Sequence, residues 1–194
     1  MNTVLVTDGA ARAAVRGRAA GRPRPNTRIV LRAATPAEAS VLHGLIVAHR
    51  EEGRLLPRDA GELATHAHRF VVAIRRGRIV GCAELAPLSG RVAEVRSLVV
   101  DRRARGLGIG RRLVAELQRR ARLAGFEQLC AFAHDAAYFV RMGFSIVPHP
   151  WIPEKIARDC ASCALFRRCG QHAIVLNLSH PRASLFVPPV SLGS

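Results

Sequence analysis

Apolar residues change period several times along this chain, and the changes mark out its elements. Thr27 to Ala33 (TRIVLRA) alternates and is rich in β-branched residues, so it predicts a first strand. Thr35-Pro36-Ala37-Glu38 then carries the signs of a helix start: an N-cap residue, proline in the first turn and glutamate at the third position. Val41, Leu42, Leu45, Ile46 and Ala48 follow at helical spacing. Glu51 to Arg58, with Gly53 and Pro57, breaks that helix, and Gly61 to His68 predicts a short second one. Phe70 to Ile74 and Ile79 to Leu88 read as strands joined by a hairpin turn at Arg75-Arg76-Gly77-Arg78. Ser89-Gly90 turns the chain into a fourth strand, Glu94 to Val100. A long amphipathic helix comes next. Its stripe is Ile109, Leu113, Val114, Leu117 and Ala121, its polar side is mostly arginine, and Gly125 ends it. Gln128 to Phe132, Phe144 to Val147 and Ala173 to Leu178 complete the strands, with a short helix over Asp135 to Met142. Glu154 to Gly170 shows no clear period. The pattern predicts an α/β (α+β) domain whose sheet has about seven strands.

The ends lack such a pattern. Residues 1–27 are rich in alanine and arginine, with Pro23 and Pro25, and are expected to be a disordered extension; a transit peptide has a similar composition. Residues 179–194 contain Pro181, Pro188 and Pro189 and are expected to be a flexible tail. The 194 residues suit one domain, and 49% are hydrophobic, enough for a core. No apolar run approaches the ~20 residues of a membrane span, so no membrane partner is expected. A net charge of +16 favours anionic ligands. Aromatic residues make up only 5% and are not interleaved with the arginines, which argues against single-stranded nucleic acid. Five cysteines, an odd number with Cys82 and Cys130 inside strands, fit a reducing cytoplasmic setting better than a disulfide scaffold.

The chemistry concentrates between the fourth strand and the long helix. Gly106, Gly108 and Gly110 recur at every second position where the helix begins. Glycines there let backbone N–H groups approach a ligand, and a helix start suits a phosphate. A Walker site is excluded because Arg111-Arg112, not Lys-Ser or Lys-Thr, follows the last glycine. The G-x-G-x-G spacing also fails the dinucleotide-binding pattern G-x-G-x-x-G.

Arg105-Gly106-Leu107-Gly108-Ile109-Gly110 resembles the acyl-CoA signature of the GNAT acetyltransferase superfamily, and Phe139-Val140-Arg141-Met142-Gly143-Phe144 resembles its aromatic-x-x-x-Gly-Phe mark. The resemblance covers residues 28–178 and implies a mostly antiparallel mixed sheet splayed between its fourth and fifth strands. It further implies that acetyl-CoA is the co-substrate. Gly106 to Arg111 would then hold the pyrophosphate, and Leu98, Val99 and Val100 would line the pantetheine arm. The Leu98 N–H would polarise the thioester carbonyl. Glu94, four residues before Leu98, would be the general base, with Glu84 as runner-up. Where many GNAT enzymes carry a general-acid tyrosine, this chain has Phe139. The neighbouring Tyr138 is turned ~100° from it on a helix and is not assigned that role.

Within that superfamily the chain resembles the short bacterial N-acetylglutamate synthases, amino-acid N-acetyltransferases of arginine biosynthesis. The matching segments are Leu55-Leu56-Pro57-Arg58, Gly81-Cys82-Ala83-Glu84-Leu85, Glu94 to Val99, Tyr138-Phe139, and the tail Pro153 to Cys163 with Lys155, Asp159 and Cys160. By this resemblance Arg58, helped by the Leu56 backbone, would bind a carboxylate of glutamate, which a planar guanidinium can do bidentately. Ala131-Phe132-Ala133 departs from the Leu-Thr pair usual after the fifth strand, so another amine acceptor, such as a protein N-terminus or a small amine, stays open. A non-enzymatic module binding RNA or ribosomes is the third reading. Cys160, Cys163, Cys169 and His172 supply the ligand types of a zinc site, against the plainer reading of thiols packing a substrate loop. A homodimer is compatible with the size and is not decided by the sequence.

Overall fold

In the computed structural model, residues 28–50, 58–164 and 166–178 are described. The extension over 1–27, Leu56 and the tail over 179–194 lie outside them. The first strand is β1 (Val30–Ala33). Thr35 opens a 3-10 turn, its N–H donating to Glu38 Oε2 at 2.9 Å, and α1 (Ala39–Ala48) continues from it. Asp59 caps α2 (Ala60–Thr65) by accepting from the Glu62 N–H. β2 (Phe70–Arg75) and β3 (Arg78–Pro87) follow. Arg76 and Gly77, at φ 51° and 74°, make the two-residue turn between them, the primed type that matches the twist of a hairpin. β4 (Val92–Val100) leads through a 3-10 turn to α3 (Ile109–Leu123). β5 (Gln128–Ala133), α4 (Ala136–Val140) and β6 (Ser145–Val147) come next. The stretch without clear period contains α5, helical over Pro153–Lys155 and widening to a π turn over Ile156–Cys160. β7 (His172–Asn177) is last.

The seven strands form one sheet in the order β1-β2-β3-β4-β5-β7-β6. β4 and β5 are its parallel pair; the other neighbours are antiparallel. β7 therefore inserts between β5 and β6.

Alternation along the strands sorts the core into layers. Ala83, Ala93, Val95 and Leu129 point to one face, where they meet the α3 stripe of Ile109, Leu113, Val114, Leu117 and Ala121. Cys82 points to the opposite face and packs with Leu42, Ile46, Leu63 and Phe70 of the α1–α2 layer. Val92 and Cys130 also point there, and join Ile152 at the entrance to α5. One face is thus covered by α3 and α4. The other is covered in two halves, by α1–α2 and by the C-terminal segment. Among the described residues no helix is long and apolar enough to cross a membrane.

Candidate active site

Two irregularities shape the sheet's centre. β4 pairs with β5 at Val92, Ala93 and Glu94, and the pairing stops there although β4 runs on to Val100 and β5 to Ala133. The strands fork, with Glu94 at the apex. β4 also bulges against β3. The register passes from Glu84↔Arg96 to Cys82↔Val99, three residues on β4 against two on β3. Ser97, at φ 48°, absorbs the extra residue.

Above the fork, the glycine turn opens a cleft of about 310 Å³ lined by Val100, Ala104, Arg105, Gly106, Gly108, Ile109, Gly110, Arg111 and Tyr138. Gly106 and Gly108 adopt φ 76° and 70°, a region side chains with Cβ rarely enter. A Cβ at either would meet no atom within 4 Å, so the turn is kept open. Gly108 is the N-cap of the fifteen-residue α3, whose first N–H groups have no partner within the helix. These residues fit a pyrophosphate: unpaired N–H donors, the positive end of a helix dipole, and arginines on either side.

Sequence reasoning missed one member of this cleft. Tyr138 reaches across from α4 so that a Cβ added to Gly110 would lie closer than 3.0 Å to its Oη. Burial pushes the phenol's pKa up, with Arg141 acting the other way, so the hydroxyl stays protonated at neutral pH. Phe139, at the position of the family's tyrosine, is instead buried edge-on against Phe144. Gly110 was the available signal: a glycine two residues inside a helix leaves room for a bulky neighbour.

Below the cleft, on the face opposite α3, lies a row of charged side chains. Glu94 is 3% exposed. Its Oε2 accepts from Arg96 Nε at 2.5 Å, and Lys155 Nζ lies 2.7 Å from Oε1 and 2.9 Å from Oε2. Lys155 also bridges Asp159 at 2.7 Å, and Arg96 reaches the same Asp159 oxygen. Burial works to raise the Asp159 carboxyl, but Lys155, Arg96 and Arg158 hold it below the usual carboxylate range.

Across the bulge, Glu84 stands directly opposite Arg96 and is 1% exposed. Arg58 donates from Nη1 to Glu84 at 2.7 Å and to Ser97 Oγ at 3.3 Å. Its Nε and Nη2 clasp Glu62 at 3.3 and 2.9 Å. Opposite charges therefore alternate from Glu62 through Arg58, Glu84, Arg96, Glu94 and Lys155 to Asp159. The structure brings Glu94, Glu84 and Arg58 into one row of paired charges on the sheet face opposite α3, although Arg58 is far from both in sequence.

Cys160, Cys163, Cys169 and His172 are not assembled as a zinc set. Among the described residues no three His, Cys, Asp or Glu side chains stand close enough to hold a metal. Cys160 and Cys163 sit one turn apart, Cys169 is exposed, and His172 is committed to β7, opposite Ala133.

A sheet forked between parallel strands, with a glycine-lined helix start above the fork and buried carboxylates below it, defines a CoA-dependent acyltransferase. The chain belongs to the acetyltransferase (GNAT) family, whose profile matches residues 37–144. It is 30% identical over 154 residues to an uncharacterized N-acetyltransferase of Chlorobaculum tepidum, covering 79% of this chain and 99% of that protein. It is 28% identical over 136 residues to an amino-acid acetyltransferase of Neisseria meningitidis, covering 69% of this chain but 31% of that protein. Among solved structures it is similar to N-acetylglutamate synthase of Neisseria gonorrhoeae, complexed with coenzyme A and N-acetyl-glutamate. There the TM-score is 0.70 at 26% identity, over 79% of this chain and 36% of that one. The chain thus spans about a third of the length of the amino-acid acetyltransferases it matches.

Proposed function

We propose that this domain moves an acetyl group from acetyl-CoA to the α-amine of glutamate or a closely similar amino acid. The row of paired charges carries the reading: a partly buried arginine, Arg58, lies on the same face of the sheet as the fork-apex carboxylate, Glu94. Similarity to a synthase complexed with N-acetyl-glutamate supports it. The N–H groups from Gly106 to Arg111 bind the pyrophosphate, flanked by Arg105. The β4 edge at Leu98, Val99 and Val100, freed from β5 beyond Glu94, pairs with the pantetheine arm. The Leu98 N–H donates to the thioester oxygen, where charge develops during attack; deleting such donors elsewhere costs ~2.7–4 kcal/mol.

The acceptor arrives as an ammonium and attacks as a neutral amine. Glu94 takes the proton, directly or through a water, and the CoA thiolate leaves. Arg58 holds a carboxylate of the acceptor. Of its two acidic partners, Glu84 is buried and Glu62 has a side chain 43% exposed. An incoming carboxylate therefore displaces Glu62, on the Nε and Nη2 side.

The test is thiol release from acetyl-CoA against glutamate, glutamine, aspartate and simple amines. Glutamate-dependent release is expected. Arg58→Ala should raise the acceptor KM, and Glu62→Ala, which removes the competitor, should lower it, with acetyl-CoA binding unchanged in both. Release driven equally well by amines lacking a carboxylate would overturn the acceptor assignment.

A further inference from the structure

The ion cluster at the fork apex is built around the chain's sole lysine, and that lysine comes from beyond the residues the family profile matches. Lys155 is 7% exposed, and its ammonium lies 5.4 Å from the centre of the Phe132 ring on β5. An ammonium has three donors. Here two are used, on Glu94 Oε2 and Asp159 Oδ2, and the ammonium also lies 2.7 Å from Glu94 Oε1 as an ion-pair contact. A carboxylate offers about four acceptor positions. On Glu94, Lys155 and Arg96 both donate to Oε2, so the open acceptor capacity is on Oε1.

The segment that delivers Lys155 is itself fastened over the sheet. Ile152 is buried against Val92 and Cys130. Ser89 Oγ donates to Glu154, and Arg158 donates to the Pro87 carbonyl. Buried ion pairs contribute little net stability, because desolvation offsets their attraction. The arrangement's specific effect is geometric: it fixes both oxygens of the one carboxylate at the fork apex.

We propose that Lys155 is a positioning residue of the acceptor site. It orients Glu94 so that Oε1 is the oxygen left for the acceptor amine or the water that serves it. This rests on the reading of Glu94 as the base, and makes α5 part of the site rather than an appendage.

The experiment is a double-mutant cycle in the full chain, read as kcat and as KM for both substrates, with thermal unfolding and CoA affinity recorded for every variant. Glu94→Gln should lower kcat by the ~10²–10⁴-fold that a general base supplies. Lys155→Met should lower kcat by ~10-fold or more, a fraction of that factor, with the KM for acetyl-CoA unchanged. In the Glu94→Gln background Lys155→Met should cause no further loss, because its effect passes through Glu94. Lys155→Arg, which keeps the charge, should restore much of the kcat. Equal losses in both backgrounds, or full kcat in Lys155→Met, would overturn the positioning role and leave the base intact. Full activity in Glu94→Gln would overturn the base and the positioning role with it. If Lys155→Met does not fold, Lys155→Gln takes its place in the same cycle.

Discussion

Gly110→Ala tests the cleft's geometry through a contact that two substitutions can make and unmake. Near the start of α3, alanine in place of glycine favours the helix by up to ~1 kcal/mol. In this chain the new Cβ would stand under 3.0 Å from Tyr138 Oη but 3.5 Å from Cζ, an ordinary contact distance. The hydroxyl alone creates the overlap. Overpacking of this kind costs about 1–3 kcal/mol, so Gly110→Ala should be neutral to destabilising by ~2 kcal/mol in the natural chain. With Tyr138→Phe the overlap disappears, and the same substitution should stabilise by a few tenths to ~1 kcal/mol. The two positions should therefore couple by about 1–3 kcal/mol. Urea unfolding of the four proteins measures the stabilities, and calorimetric titration of CoA shows whether moving the ring alters the cleft. An effect of Gly110→Ala equal in both backgrounds would mean that Tyr138 does not lie across the α3 start.

Two further outcomes follow from the ion pairs and the thiols. The Arg32 guanidinium, bonded to Glu38 at 2.5 Å, lowers the Glu38 carboxyl from its ordinary 4.5 to about 2. A depressed carboxylate stabilises the fold above its unfolded value and loses that contribution as pH falls through the folded one. Glu38→Gln should thus cost about 0.5–1 kcal/mol at neutral pH, a surface-pair magnitude, and the gap to the natural chain should close between pH 4.5 and about 2 in denaturant titrations. Among the cysteines, burial raises Cys82 to about 12 and pushes Cys130 up as well, while Cys169 is exposed. An alkylating reagent should mark Cys169 first and reach Cys82 and Cys130 only after unfolding, as peptide mapping would show; equal rates at Cys82 and Cys169 would contradict the packing.

What could be read in advance were the features set by local chemistry. The α3 stripe was legible because a surface helix must repeat its apolar residues at 3.6, and all five named positions are buried. Gly77 marked the hairpin because a glycine adopts positive φ at no steric cost. The family's signature placed the fork between the fourth and fifth strands, and the pairing does end at Glu94. What could not be read was anything fixed by side chains meeting across long separations. Lys155 lies 61 positions from Glu94, on a segment whose π turn breaks the helical period that would have announced it. Strand alternation puts Arg96 on the face of Glu94, but its second partner, Asp159, lies 63 positions away. Tyr138 was judged by its angle to Phe139. That gave its direction around the short helix, but not that α3 starts opposite it. The cysteine spacing offered ligand types, but among the described residues the fold does not bring three of them together.

The arginine bias has a consequence for a protein that works beside an activated thioester. Acyl-CoA esters react slowly with any neutral amine, and lysines are the usual victims. A guanidinium is a poor nucleophile because it stays protonated, with a pKa above ~12. Here nearly every cation is arginine, and the lone lysine is buried with its ammonium bonded to two carboxylates. Stray N-acetylation therefore finds no accessible lysine side chain to modify. Its positive surface should persist unchanged through long exposure to its own acetyl donor.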